Sequence, residues 1–230
     1  DCLEFRLDAS GLALGAERLP RPVDQAGLLA AMRSALAAAP RPDIPNEGFP
    51  LHGGLVGVTS YDLVRYFERL PSNARVDDNC PEAHYMAPRS LLVFDHLTRR
   101  AALLHAGSEH ERQSLRREII RALRGGLPGP AWAASFSAPE ASLSEEQFLD
   151  GVARTKEYIA AGDVYQLVLS VRFAGRCDLD PFETYRALRL LNPSPYMYFC
   201  DLGDRVVVGS SPEALVKLNG TRATMRPIAG

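Results

Sequence analysis

The sequence lacks the features that mark disulfide-stabilised proteins. Its 230 residues include four cysteines, and no two of them form a C-x-x-C pair. A chain of this length builds a hydrophobic core without a disulfide framework, so we expect reduced thiols and a cytoplasmic location. The cysteines are Cys2, Cys80, Cys177 and Cys200.

Long runs of like charge and long apolar runs are also absent. The formal net charge is −2 and the pI is near 6.2, which indicates neither a nucleic-acid groove nor a basic membrane patch. Apolar runs such as 206–208 are far shorter than the roughly 20 residues that span a bilayer. The five histidines are scattered without metal-ligand spacing. We therefore expect a small-molecule ligand, and no nucleic acid or membrane partner.

What is present is an ordinary globular composition, with 46% hydrophobic and 23% charged residues. A stretch rich in Gly, Pro, Ala and Ser follows residue 125 and is typical of a linker. We divide the chain into an N-terminal region (1–130), a linker (131–142) and a second region (143–230).

Periodicity predicts the elements of the first region. Leu28, Leu29, Met32 and Leu36 form a helical stripe, and residues 109–123 are also predicted as a helix. Residues 91–95 and 101–105 are predicted as paired strands.

The second region opens with a helix start. Ser144 and Gln147 have the spacing of a capping box, and Gly162 is suited to end the helix in a left-handed conformation. Residues 164–173 are then predicted as a strand with an apolar face at the odd positions.

Asp180 and Pro181 begin a second helix, with Glu183 predicted to close a capping box, and Asn192 and Pro193 end it. Two strand pairs are predicted after it, 196–201 with 205–209 and 214–218 with 221–226. We expect Asn219 and Gly220 to form the turn of the second pair. The predicted class is α+β, with largely antiparallel sheets in a two-sheet sandwich and helices outside.

Four segments of the sequence stand out by their composition. They are G-S-S-P-E at 209–213, P-I-A-G at 227–230, G-D-V-Y-Q at 162–166 and N-P-S-P-Y-M at 192–197. Taken in their order along the chain, they resemble motifs of the chorismate-utilising enzymes, most closely the large subunits of anthranilate synthase. A fifth segment, 53–68, resembles the G-G-x-x-G-Y-x-x-Y-D block of that family, and we interpret it as a strand that enters a helix and packs the two regions together.

The resemblance implies a reaction and a proton donor. From the residues alone, Glu213 has a commoner interpretation as a loop glutamate that caps backbone amides. The resemblance implies instead that Glu213 is the general acid at the C4 hydroxyl of chorismate, because hydroxide is a poor leaving group. It also implies that Gly230, which has no Cβ to block close approach, contacts the ring carboxylate.

Two further positions separate members of the family by their chemistry. The resemblance implies that Gln166 and Ala229 lie at substrate-binding positions where sister enzymes carry a lysine nucleophile or base. Neither residue has a basic nitrogen. Ammonia is then the expected nucleophile, and anthranilate the product. The large component of aminodeoxychorismate synthase remains an alternative.

The N-P-S-P-Y-M segment resembles the part of bacterial anthranilate synthases that holds the inhibitor tryptophan. Pro195, Tyr196 and Met197 supply apolar and aromatic surface suited to an indole ring. The interpretation from the residues alone is a helix stop followed by an aromatic strand. Besides the sister enzyme, a second alternative is a module that binds tryptophan and has no catalytic activity.

The resemblance also implies a cofactor and a partner. We expect Mg²⁺ with its ligands outside this chain and none within it, a glutamine amidotransferase subunit (component II) as partner, and a hetero-oligomer. Because the family's other catalytic residues would lie beyond residue 230, we expect the chain to be an N-terminal fragment that is inactive alone.

Overall fold

The first strand of the chain alternates between fully and partly buried side chains. In the computed structural model, which describes residues 2–42, 51–71, 80–126 and 134–227, Phe5 and Leu7 are fully buried while Arg6 between them is not. The chain divides into two units, Asp1–Leu127 and Pro128–Gly230. The predicted boundaries at 130 and 142 stay predictions.

An antiparallel five-stranded sheet in the order β3-β2-β1-β5-β4 is the framework of the first unit. Its strands are β1 (Cys2–Asp8), β2 (Gly11–Leu14), β3 (Glu17–Leu19), β4 (Val56–Thr59) and β5 (Ala83–Pro88). The odd positions of β1 point to one face of the sheet, since side chains alternate along a strand.

Helix α1 (Gln25–Ala38) packs against this face. Asp24 caps it by accepting a hydrogen bond from the amide of Gly27 at 2.8 Å. The predicted helix is confirmed, but its buried stripe runs through Leu28 and Ala35, and Leu36 is 45% exposed. The spacing of seven residues keeps Ala35 on the side of Leu28, whereas eight residues turn Leu36 toward solvent.

Gly57 allows the edge strand β4 to lie against β5. A Cβ added to Gly57 would overlap the carbonyl oxygen of His84 and the Cα of Tyr85, which are backbone atoms. The chain then enters a 3₁₀ helix (Tyr61–Tyr66), whose Tyr66 hydroxyl donates to the carbonyl of Pro22 at 3.2 Å. The strand followed by a helix in segment 53–68 is confirmed, and its role in packing the two regions together stays a prediction.

A hairpin and a helix complete the first unit as predicted. Strands β6 (Ser90–Asp95) and β7 (Arg100–His105) pair antiparallel. Helix α2 (Glu109–Arg124) follows with a capping box between Ser108 and Glu111.

The second unit begins with short strands and a long helix. Strands β8 (Glu140–Ala141) and β9 (Phe173–Ala174) pair, and α3 (Glu145–Ala161) lies between them in sequence. The predicted capping box of Ser144 and Gln147 is present, and Gly162 ends the helix with φ +81°. These local predictions are confirmed.

The predicted strand at 164–173 is wrong over most of its length. Strand geometry is limited to Phe173 and Ala174, and Tyr165 is 91% exposed. A strand needs a neighbour to satisfy its backbone groups. Among the described residues, the strand partner available to this segment is β8, which is two residues long.

Helix α4 (Pro181–Leu191) is followed by strands β10 (Tyr196–Asp201), β11 (Val206–Ser211), β12 (Lys217–Asn219) and β13 (Arg222–Thr224). Both predicted strand pairs form, but the second is shorter than predicted, because residues 214–216 and 225–226 have no strand geometry. The turn of the second pair lies one residue later than predicted, at Gly220 and Thr221. Gly220 has φ +59°, and Thr221 is not among the described residues with positive φ, so the turn is not type I′.

The α+β class with antiparallel sheets is confirmed. Besides the five-stranded sheet, the described residues form four two-stranded sheets. The structure describes no helix that is long and apolar enough to cross a bilayer.

Candidate active site

The candidate site is built on the hairpin of β10 and β11, which follows α4. The side chain of Asp180 caps α4 by accepting from the amide of Phe182 at 2.7 Å. The predicted capping box is incomplete because the carboxylate of Glu183 binds Arg186 at 2.8 Å. Asn192 ends the helix, as predicted, and donates its amide to the carbonyl of Leu188 at 2.9 Å.

The register of the hairpin brings two of the sequence motifs together. Tyr196 lies opposite Ser211, and Met197 lies opposite Ser210. The N-P-S-P-Y-M segment therefore enters the hairpin beside the point where the S-S-P-E segment leaves it.

The two faces of this hairpin have different neighbours. Phe199 packs against α4, with its ring centroid 5.3 Å from that of Phe182 at an interplanar angle of 89°. Met197 points to the same side as Phe199, because side chains two residues apart share a face. Tyr196 and Tyr198 point to the other side and are 47% and 45% exposed. Tyr196 and Met197, predicted to share a ligand, therefore lie on opposite faces.

Tyr198 covers its cross-strand neighbour Gly209. A Cβ added to Gly209 would overlap the ring of Tyr198. The glycine of G-S-S-P-E thus leaves room for an aromatic ring on the exposed face. Sequence reasoning did not identify Tyr198, although its separation of two residues from Tyr196 in a predicted strand was the available signal.

Glu213 follows β11 in a short turn that the hydroxyl of Ser211 holds. This hydroxyl donates to the carbonyl of Glu213 at 3.0 Å and accepts from its amide at 3.4 Å. Glu213 is partly buried, and within the described ranges its carboxylate has no hydrogen bond or ion pair. The carboxylate is therefore available to a substrate. The sequence signal for the turn was a serine two residues before the glutamate.

Of the remaining predicted site residues, Pro195 directly precedes β10, whereas no described contact brings Gln166 to the hairpin. Gln166 is exposed in the segment that was predicted as a strand, and Pro195 is exposed at the entry to β10. Ala229 and Gly230 lie outside the described residues.

Cys200 lies in β10 of the hairpin, and its thiol is not activated as a nucleophile. Burial raises the pKa of Cys200, and the charge of Asp201 raises it further. A raised pKa keeps the thiol neutral at pH 7, and the neutral form is a poor nucleophile. The four cysteines are free.

Two open cavities in the first unit contain none of the predicted site residues. One, of about 600 Å³, is lined in part by Arg21, Arg65 and Arg69. The other, of about 430 Å³, is lined in part by Arg41 and Arg112. Arg21, Arg65 and Arg112 are already bound to carboxylates.

Acidic, histidine and cysteine side chains are common ligands of metal ions in proteins. Within residues 2–42, 51–71, 80–126 and 134–227, no group of three such side chains is placed to hold a metal ion.

Comparison with known proteins gives concordant results. A family model described as chorismate binding enzyme matches residues 8–230. Anthranilate synthase component 1 of Thermus thermophilus is 44% identical over 192 residues, covering 82% of this chain and 41% of that protein. The Streptomyces coelicolor protein of the same name is 40% identical over 232 residues, covering 92% of this chain and 45% of that protein.

A solved structure, anthranilate synthase component I from Streptococcus pneumoniae, superposes with a TM-score of 0.76 at 24% identity. The match covers 96% of this chain and 52% of that one, and it supports the fold. The chain thus spans less than half the length of the curated relatives named here.

Proposed function

The chain belongs to the chorismate binding enzyme family, and we propose that it forms part of an anthranilate synthase component I. The reaction is the conversion of chorismate and ammonia into anthranilate and pyruvate, the activity of a lyase. The observation that carries this proposal is the identity to anthranilate synthase components from two bacteria across most of the chain.

Glu213 is the proposed general acid. Ammonia forms a bond to C2 of chorismate while the bond between C4 and its hydroxyl oxygen breaks. The oxygen leaves as water with a proton from the carboxyl group of Glu213, and the added nitrogen loses a proton. Loss of the C2 proton and cleavage of the bond between C3 and the enolpyruvyl oxygen then release pyruvate and give the aromatic ring. The free carboxylate and the short turn held by Ser211 support this role, because a general acid must be both positioned and accessible.

Gln166 and Ala229 support ammonia as the nucleophile. Neither side chain carries an amine, so neither forms a covalent bond to C2. We propose that both residues and Gly230 contact the substrate, and that a glutamine-hydrolysing component II supplies the ammonia.

None of the steps assigned above to residues of this chain uses Mg²⁺. The described residues offer no set of acidic side chains that fits it. Mg²⁺ at the ring carboxylate, held by groups outside those residues, remains a proposal that follows from the family resemblance.

We further propose that tryptophan binds on the Tyr196 side of the hairpin. Tyr196 is exposed on that side and Pro195 is exposed just before β10, whereas Met197 faces α4. In calorimetric titration of the chain with tryptophan, we expect heat of binding that saturates at one equivalent of tryptophan. Tyr196→Ala is expected to abolish this heat. Heat that is unchanged by Tyr196→Ala contradicts this placement.

A hybrid enzyme tests the main proposal. Residues 1–230 are joined to the C-terminal part of the Thermus thermophilus protein that this chain does not cover, with the unmodified Thermus protein as positive control. We expect the hybrid to release anthranilate and pyruvate, and the 230-residue chain alone to release neither. Release of 4-amino-4-deoxychorismate by the hybrid would instead establish the aminodeoxychorismate synthase alternative.

Glu213→Gln in the hybrid tests the assigned acid. Removal of a general acid lowers kcat by about 10²–10⁴. Glu157→Gln, on the exposed side of α3, makes the same chemical change elsewhere and is expected to leave kcat unchanged. Equal rates for the two variants would show that Glu213 is not the acid.

A further inference from the structure

The two adjacent serines at the end of β11 bind different partners. We propose that Ser210 is a positioning residue for Glu213, because its hydroxyl ties the end of β11 to the end of α4. The inference rests on the proposed function only in assigning Glu213 as the acid.

The contact on which the proposal rests joins two distant segments of the chain. The Ser210 hydroxyl donates to the carbonyl oxygen of Asn192 at 2.7 Å. Asn192 is the residue that ends α4, where carbonyl groups have no partner inside the helix. Ser210 therefore satisfies a helix-end carbonyl and fixes β11 to the helix in the same bond.

This tether lies where the backbone ladder of the hairpin ends. The last pair of β10 and β11 is Tyr196 with Ser211, so no ladder bond holds the chain after Ser211. The Ser211 hydroxyl bonds to the amide and carbonyl of Glu213 and thus fixes the turn locally. This bond joins the end of β11 to α4, which packs through Phe199 on the face of the hairpin to which Ser210 points, because Ser210 lies opposite Met197.

The chain offers a matched control in the same junction. Ser194 lies two residues after Asn192, and its hydroxyl is buried without a hydrogen-bond partner among the residues that the structure describes. Ser194→Ala therefore deletes a hydroxyl of the same kind without breaking a bond.

Amide hydrogen exchange of the 230-residue chain, followed residue by residue by NMR, tests the tether. In Ser210→Ala we expect the amides of Asn192 and Glu213 to exchange about fivefold faster, the factor for a neutral hydrogen bond of ordinary strength. Ser210→Thr keeps the hydroxyl and is expected to restore the slow exchange, and Ser194→Ala to leave it unchanged.

Two results would overturn the proposal. One is equal exchange of the Asn192 and Glu213 amides in Ser210→Ala and Ser194→Ala, which would show that the Ser210 bond does not restrain the turn. The other is faster exchange throughout β10 and β11, which would show a general loss of hairpin stability in place of positioning.

Kinetics of the hybrid enzyme separate this inference from the proposed function. We expect Ser210→Ala to lower kcat about tenfold with KM for chorismate within twofold, and Ser210→Thr to recover kcat. If Glu213→Gln keeps full activity while Ser210→Ala still frees both amides, the assigned acid is wrong and the tether stands. If Glu213→Gln is inactive and Ser210→Ala is fully active with unchanged exchange, the tether is wrong and the acid stands.

Discussion

Gly57→Ala should detach the edge strand β4 from the sheet of the first unit. The added methyl group would overlap the carbonyl oxygen of His84 and the Cα of Tyr85. Both are backbone atoms of β5, so no side-chain rotation relieves the overlap and one strand must move. The movement breaks the pairing of β4 with β5, which spans four residue pairs from Val56 to Thr59.

The expected cost is about 3 kcal/mol, at the upper end of what single substitutions cause through overpacking. For a unit of this size, each kcal/mol corresponds to roughly 3–4 °C in Tm, so the first unit should melt about 10 °C lower. Circular dichroism during heating measures this, and amide exchange should show the change at β4 and β5.

Gly126→Ala is the matched control for this prediction. Among the residues that the structure describes, no atom outside its chain neighbours lies within 4 Å of a Cβ built at Gly126, and its φ is not positive. It should therefore melt at the temperature of the parent chain or slightly above. A Tm of Gly57→Ala within 2 °C, roughly 0.5 kcal/mol, of the parent would refute the close approach of β4 and β5.

Three further predictions concern the first unit. Arg99 has φ +56°, which favours glycine, so Arg99→Gly should raise the free energy of unfolding by up to about 1 kcal/mol, seen as a higher Tm. Glu4→Ala removes the acceptor 2.8 Å from Nε2 of the buried His84 and should cost about 1–3 kcal/mol in denaturant titration, whereas Glu4→Gln, which keeps an acceptor, should cost less. Hydrogen bonds from Ser108 lower the pKa of Glu111 from 4.5 to about 2. This contribution to stability is present above pH 4.5 and is lost as the pH falls from 4.5 to 2, so helix content followed by circular dichroism should decline over that window. Glu111→Gln should make the decline smaller, and the remainder includes Glu109, whose pKa is also lowered to about 2.

The sequence predicted the elements whose signals are local. Ser144, Gln147 and Gly162 lie within one or two turns of the helix ends that they stabilise, so spacing alone identified them. The two hairpins of the second unit were found for a similar reason, since two apolar runs around a short polar turn pair with each other. In the hairpin of β12 and β13, the turn lies one residue later than predicted, because strand pairing sets the register.

Predictions that required a distant partner were less secure. Residues 164–173 have the composition of a strand, but composition does not supply the neighbour that a strand needs. Their strand geometry accordingly shrinks to the two residues that pair with β8. The buried stripe of α1 also differs from the predicted one. Ala35 is buried against the sheet, whereas Leu36, which was predicted to be buried, is 45% exposed.

Residues that are near one another in the chain were enough to predict the class of the fold, the ends of α3 and the family to which the motifs belong. The pairing of Tyr196 with Ser211, the cover of Gly209 by Tyr198 and the bond from Ser210 to Asn192 are properties of the folded chain. Each of these depends on strand register or on a bond between segments 10 or more residues apart, as in the 18 residues that separate Ser210 from Asn192. Register and packing are set by the whole of the chain's buried surface, which no short motif encodes.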